Sequence, residues 1–195
     1  MSAITIDVQV SEEFRRLHAR VRDFVQTCLE PISLQVEAEE RIPEETVDGI
    51  RRLGLFGMPV PKAYGGLWLT TVEEMLIYEE LTQTNACYRS RIGTSNGIGS
   101  MGIVYDGTEE QKRTYLPRIA SGEYTTAFAL TEPDAGSDAA NISTAAVLEG
   151  DQWVLNGNKV FITNADQARL FTVIALTDEK KRASELAVEK YQSDT

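Results

Sequence analysis

The chain has 195 residues, 42% hydrophobic and 25% charged, and a chain of that size buries on the order of 70% of the surface its unfolded form exposes, so it needs no metal or disulfide staples to fold. Nineteen Lys and Arg against thirty Asp and Glu leave a net charge of -11, the wrong sign for a phosphate-backbone binder and an argument against nucleic acid as a partner. Apolar runs such as 170–176 fall far short of the roughly 20 residues that span a bilayer, and the opening MSAITIDVQ lacks the basic and apolar regions of a signal peptide, so a cytoplasmic protein is expected.

From residue 11 to 121 the apolar spacing is helical. Phe14, Leu17, Val21, Phe24, Val25 and Leu29 form one stripe, with Ser11 as N-cap and Pro31 as the stop. A short helix is expected over 32–41. A third opens at Pro43, with Glu44 and Glu45 in its first turn, Val47, Ile50 and Leu53 inward, and a stop at Gly54. Residues 55–66, with Pro59, Pro61, Gly65 and Gly66, read as a packed loop. Thr70 or Thr71 caps the next helix, whose inner side is expected to carry Val72, Met75, Leu76 and Leu81. Thr108 with Gln111 forms a capping-box pattern for a helix that reaches about residue 121 and is kinked at Pro117. The lone His18 sits on the first helix as a surface or half-buried side chain. Cys28 and Cys87 have no second Cys or His at ligand spacing, which points to neither a zinc site nor a disulfide.

Beyond Gly122 the pattern changes to strands, expected at 125–131, 143–148, 153–155, 160–163 and 170–176 and separated by turn signals such as Glu149-Gly150-Asp151. The reading is an antiparallel meander. The fold class is therefore α+β, with a helical domain over 1–121 and a partial antiparallel β domain over 122–195. The last nineteen residues are rich in Lys and Glu, with apolar positions mainly at Leu186, Val188 and Tyr191. They offer little to cover the sheet, so the β domain is expected to be truncated.

Three stretches are candidates for a site. Gly97, Gly99 and Gly102 satisfy GxGxxG, but a helix precedes them where the dinucleotide fingerprint needs a strand. Small residues there serve close approach of a helix to its neighbours or to a ligand. In the second stretch, Thr131-Glu132-Pro133-Asp134-Ala135-Gly136-Ser137-Asp138, Pro133 ends ladder pairing. Gly136 allows a positive φ and close backbone approach, and Ser137 adds a hydroxyl, which is the equipment of an anion-binding turn with its acidic groups turned outward. Taken alone, such a loop is more often a hairpin connection. The third is 156–164, NGNKVFITN, where strand alternation puts Phe161 and Thr163 on one face, suited to a planar heteroaromatic ligand, against the plainer reading of a core Phe and a strand Thr.

In combination these stretches resemble the acyl-CoA dehydrogenase family, flavoenzymes that oxidise acyl-CoA thioesters to 2-enoyl-CoA, collinearly over about residues 10–178. The markers are Gly54-Leu55-Phe56-Gly57 with Pro61 and Tyr64-Gly65-Gly66, then Gly107-Thr108-Glu109-Glu110-Gln111-Lys112 with Tyr115-Leu116-Pro117, then TEPDAGSD, then NGNKVFITN. The separation of Thr131 from Thr163 is the family's spacing between its two flavin-binding threonines. The resemblance implies FAD as cofactor, with the Leu130 backbone and Thr131 hydroxyl at the flavin pyrimidine edge and Gly136 and Ser137 at the pyrophosphate. It also implies Phe161 against the flavin face, Thr163 at N5, and Phe128 at a position where an aromatic is common. An acyl-CoA substrate, an electron-transferring flavoprotein and a homo-oligomer are the implied partners.

The family's catalytic glutamate comes from a later helical domain that these residues do not include. No catalytic residue is therefore assigned, and the isolated chain is expected to bind FAD weakly or not at all and to show no turnover. Two other readings are a flavin oxidase or monooxygenase on the same fold, and a non-catalytic chain that completes its fold against a partner.

Overall fold

Ser11 caps the first helix as its side chain requires, accepting from the Phe14 N–H at 3.1 Å. In the computed structural model, which describes residues 9–177 and 185–189, α1 runs Glu12–Phe24. It continues through a π-helical turn, Val25–Leu29, and a 3₁₀ turn around Pro31, Glu30–Ile32, into α2, Ser33–Glu39. Phe14, Val21, Val25 and Leu29 are buried in one helical core, with Leu17 and Phe24 packed on its margin. The opening octapeptide and Tyr191 lie outside the described residues.

Pro43 stands at the N-cap of α3, Glu44–Arg52, one position before the helical turn proper. Gly54 leaves the helix with φ 76°, a conformation that costs glycine nothing. The loop that follows is buried at Leu55, Phe56 and Met58. Buried Asn96 holds it there, donating to Leu55 O at 2.6 Å and accepting from the Met58 N–H at 3.1 Å. Both Thr-led capping boxes are formed, Thr70 with Glu73 at the start of α4, Thr71–Leu81, and Thr108 with Gln111 at the start of α7, Glu109–Ala120.

The inward face of α4 is only in part the expected one, with Leu81 buried and Leu76 packed on the helical core. Val72 and Met75 are about half exposed, while Ile77, Tyr78, Leu81 and the carboxylate of Glu80 are buried. The helix is turned by its ion pair: Glu80 accepts from Arg22 Nε at 2.9 Å and Nη2 at 2.6 Å, and His18 Nε2 lies 3.2 Å away. A buried carboxylate without such a partner would cost several kcal/mol, roughly the figure for a broken buried pair.

Helix α5, Ala86–Asn96, and α6, Met101–Asp106, flank Gly97 and Gly99, with Gly102 inside α6, so that segment is helix–turn–helix. Its small residues serve close approach, since a Cβ at Gly99 would overlap Thr126 and Ser95 Oγ accepts from the Thr126 N–H at 3.2 Å. Buried Arg91 donates to Thr125 Oγ1 at 2.9 Å and lies over the Phe56 ring. Helix α5 is thereby fastened across the start of β1, Thr125–Ala129.

The strands are not a meander. β1 pairs in parallel with β4, Ala168–Ala175, and β4 pairs antiparallel with β5, Glu185–Glu189, giving the order β1-β4-β5. A separate antiparallel hairpin joins β2, Ala145–Glu149, to β3, Gln152–Asn156. Residues 160–163 form no strand. A parallel pair needs a crossover, and residues 130–167, with the hairpin and both candidate motifs, provide it. Leu170 on β4 packs with Leu116, Ile119 and Tyr124, so the sheet shares its core with α7.

Candidate functional site

The TEPDAGSD segment leaves β1 and turns at once. Glu132 and Ala135 exchange backbone hydrogen bonds, N to O 3.0 and 3.2 Å, around Pro133 and Asp134, whose proline presets φ for such a turn. Because β1 and β2 are not neighbours, the loop is not a hairpin connection. Gly136 and Ser137 follow on the exposed rim. Gly136 does not use the positive φ open to it, and a Cβ added there would meet open space. Nothing within the chain therefore demands glycine, and the room lies outside the protein surface.

The second motif returns alongside the first. The Val160 N–H donates to Thr131 O at 2.9 Å, which brings NGNKVFITN against TEPDAGSD. Strand alternation was the wrong basis for placing Phe161 and Thr163, yet their exposure still alternates: both are exposed, while Val160 and Ile162 are half-buried. Phe161 is 92% exposed and adopts φ 57°, and Asn164 adopts φ 63°. A bulky residue in the left-handed region costs about 1–2 kcal/mol, and here no burial of the ring offsets it. The Phe128 and Leu130 side chains are turned the other way, half-buried against Ile142 and Ile174, so only the Leu130 backbone remains near the motif junction.

One carboxylate of the loop turns inward, against the expectation that all three face out. Glu132 is 4% exposed. Its Oε2 accepts from Ser143 N and Oγ, both at 2.7 Å, and its Oε1 from the Thr144 N–H at 2.9 Å, from the Thr144 hydroxyl and from Lys159 Nζ at 2.8 Å. Burial alone would push this carboxyl up, but Lys159, Thr144 and Ser143 together hold it well below the ordinary carboxylate range. Lys159 Nζ also donates to Leu130 O at 2.9 Å, so a single ammonium joins the two motifs. Asp134 and Asp138 remain exposed. Sequence reasoning missed the Glu132–Lys159 pair; the only available signal was that each residue lies inside a candidate motif.

Several donors of the two motifs are left without partners. Among the described residues the Thr131 N–H meets no acceptor, and the hydroxyls of Thr131, Ser137 and Thr163 make no hydrogen bond. Asn164 Nδ2 is buried without a partner, in the wall of a cleft of about 780 Å³ between α2, α5 and the 164–167 loop. An exposed ring in a strained backbone and free hydroxyls fit a planar ligand with acceptor edges, as flavin is, while the orphaned amide opens into a separate cleft that none of them lines.

A helical bundle followed by a mixed sheet with a separate hairpin is an α+β architecture, and sequence comparison supplies the family. Residues 11–123 match the acyl-CoA dehydrogenase N-terminal domain and residues 127–194 the acyl-CoA dehydrogenase middle domain. The chain belongs to the acyl-CoA dehydrogenase family. It is 35% identical over 170 residues to an acyl-CoA dehydrogenase of Bacillus subtilis, covering 87% of this chain and 45% of the relative. To a short-chain-specific acyl-CoA dehydrogenase of Clostridium acetobutylicum it is 36% identical over 176 residues, 90% of this chain and 46% of the relative. Among solved structures it superposes on butyryl-CoA dehydrogenase from Megasphaera elsdenii with TM-score 0.89 at 27% identity, covering 97% of this chain and 51% of that one. Glutaryl-coenzyme A dehydrogenase in its glutaryl-CoA complex gives TM-score 0.84 at 32% identity, with 95% and 48% covered. The chain thus spans about half the length of the relatives it matches.

Proposed function

We propose that this chain carries the flavin-facing part of an FAD-dependent acyl-CoA dehydrogenase, in which an α-proton and a β-hydride leave an acyl-CoA thioester. When bound, FAD supplies the hydride acceptor; the rest of the reading concerns the chain's own residues. The Thr131 N–H and hydroxyl, with the Leu130 backbone, serve the electron-rich pyrimidine edge, where directed donors favour the accumulated negative charge. The amides of Gly136 and Ser137 hold the pyrophosphate, the Phe161 ring covers one flavin face, and the Thr163 hydroxyl holds N5. Phe128 backs this wall from within the β core. Electrons pass on to an electron-transferring flavoprotein, and the working form is a homo-oligomer. No catalytic base is assigned, since Glu132 is fully engaged in holding Lys159 and the 143–144 backbone.

The observation that carries this reading is the junction of the two motifs through Val160 and Thr131, with Phe161 displayed beside it. The face is open on one side, so affinity should be modest, with a dissociation constant on the order of 10⁻⁴ M, about 5–6 kcal/mol. Titrating the chain into FAD and following flavin fluorescence tests this. We expect saturable binding that weakens at least threefold in Phe161→Ala and Thr163→Val, and no turnover of an acyl-CoA. Equal binding by the variants, or none by the wild-type chain, overturns the assignment.

A further inference from the structure

We propose that Lys159 is a positioning residue that strengthens the Thr131 N–H as a donor by polarising the peptide between Leu130 and Thr131, with Glu132 setting how much of its charge is felt. The inference rests on the flavin reading above and concerns what tunes that site. Leu130 O and the Thr131 N–H belong to one planar trans amide and point in opposite directions. The Lys159 ammonium sits 2.9 Å from the carbonyl end, while the N–H end meets no acceptor among the described residues. A cation on the oxygen draws electron density away from the nitrogen, which makes the N–H a better donor. Chained hydrogen bonds strengthen one another by roughly 10–30% each, more where water is excluded.

The geometry holds this arrangement from several sides. The next carbonyl, Thr131 O, is pinned by the Val160 N–H at 2.9 Å, which fixes the outward path of the strand end. Lys159 is itself almost buried, its side chain 11% exposed, so its charge is poorly screened. Glu132 Oε1, 2.8 Å from the same Nζ, withdraws part of that charge, and the Ser143 and Thr144 donors keep the carboxylate in place and ionised. On the flavin reading, the N–H end would face the acceptor-rich edge of a heteroaromatic ring whose negative charge grows on reduction. A stronger donor there holds the reduced ring more tightly than the oxidised one.

Opposite signs test this. Lys159→Met alone would strand Glu132, so the informative pair is E132Q, which leaves the ammonium uncompensated, and E132Q/K159M, which removes it; K159R serves as the conservative rescue. In the ligand-free chain the Thr131 amide proton, read by NMR, should move downfield in E132Q, upfield in E132Q/K159M and stay near the wild-type value in K159R. In titrations with oxidised and anaerobically reduced FAD, the preference for the reduced form should be about tenfold lower in E132Q/K159M than in E132Q, which is about 30 mV for a two-electron couple. A purely structural role would shift both variants the same way, and that result overturns the proposal, as does an unmoved amide proton. Should E132Q fail to fold, K159R against E132Q/K159M gives the same comparison. If wild type binds neither form of FAD, the flavin reading itself fails, whereas binding with an unchanged preference overturns only the polarisation.

Discussion

Phe161 gives a test in which stability and binding should move in opposite directions. Its ring is 92% exposed, so less than a tenth of a side chain that would bury about 150–250 Å² is covered, worth at most about 0.5 kcal/mol at 25 cal/mol/Å². Its φ of 57° costs about 1–2 kcal/mol for a residue with a Cβ and bulky ring. Phe161→Asn, which tolerates the left-handed region, should therefore stabilise the chain by about 1 kcal/mol, a rise in Tm of about 2–4 °C for a chain of this size. Phe161→Ala keeps the strain and loses almost no burial, so its Tm should match wild type within about 2 °C. Both should weaken FAD binding. Thermal melts by circular dichroism alongside flavin titration would measure this. A lower Tm for Phe161→Asn would show that the ring contributes to folding and that the displayed-ring argument is wrong.

The buried pair should behave as a coupled unit: Lys159→Met destabilises by about 3–5 kcal/mol in urea titrations, and Glu132→Leu/Lys159→Met costs less than the single change, because no charge is then stranded. The Glu132 carboxyl is held below its ordinary value of 4.5, so its contribution is present above that pH and fades as pH falls toward the folded value; a flat wild-type profile there would count against the pair. Glu74 has the opposite sign. Burial raises its carboxyl to about 7, so the native state loses stability as pH rises from about 4.5 through 7, and Glu74→Gln should match wild type near pH 4 and exceed it near pH 8 in denaturant midpoints. Gly99→Ala should cost about 1–3 kcal/mol, since the added methyl overlaps the Thr126 side chain; an unchanged melt would mean that the turn between α5 and α6 shifts freely over β1.

Helix starts were legible because a cap is a local event. Ser11, Thr70 and Thr108 each sit within three residues of the amide they accept from, and Gly54 ends α3 by its own conformational freedom. The inward face of α4 was misjudged at Val72 and Met75 because Glu80 answers Arg22, 58 positions away, a partner that no local pattern reveals. The strands failed as a meander for a similar reason, since β1 finds its neighbour across the whole crossover rather than at the next turn. Of the candidate site, the two motifs could be read in advance. The loop geometry of Phe161 and the inward turn of Glu132 could not.

Composition, apolar periodicity and capping residues were enough to establish a helical half followed by a β half, because each depends on neighbours a turn apart. Tertiary structure alone decided which strands meet, which carboxylate is buried and which ring is left in solvent. Those outcomes depend on desolvation and on ion pairs between residues tens of positions apart, such as Glu132 with Lys159, whose free energy exists only once the chain has closed around them.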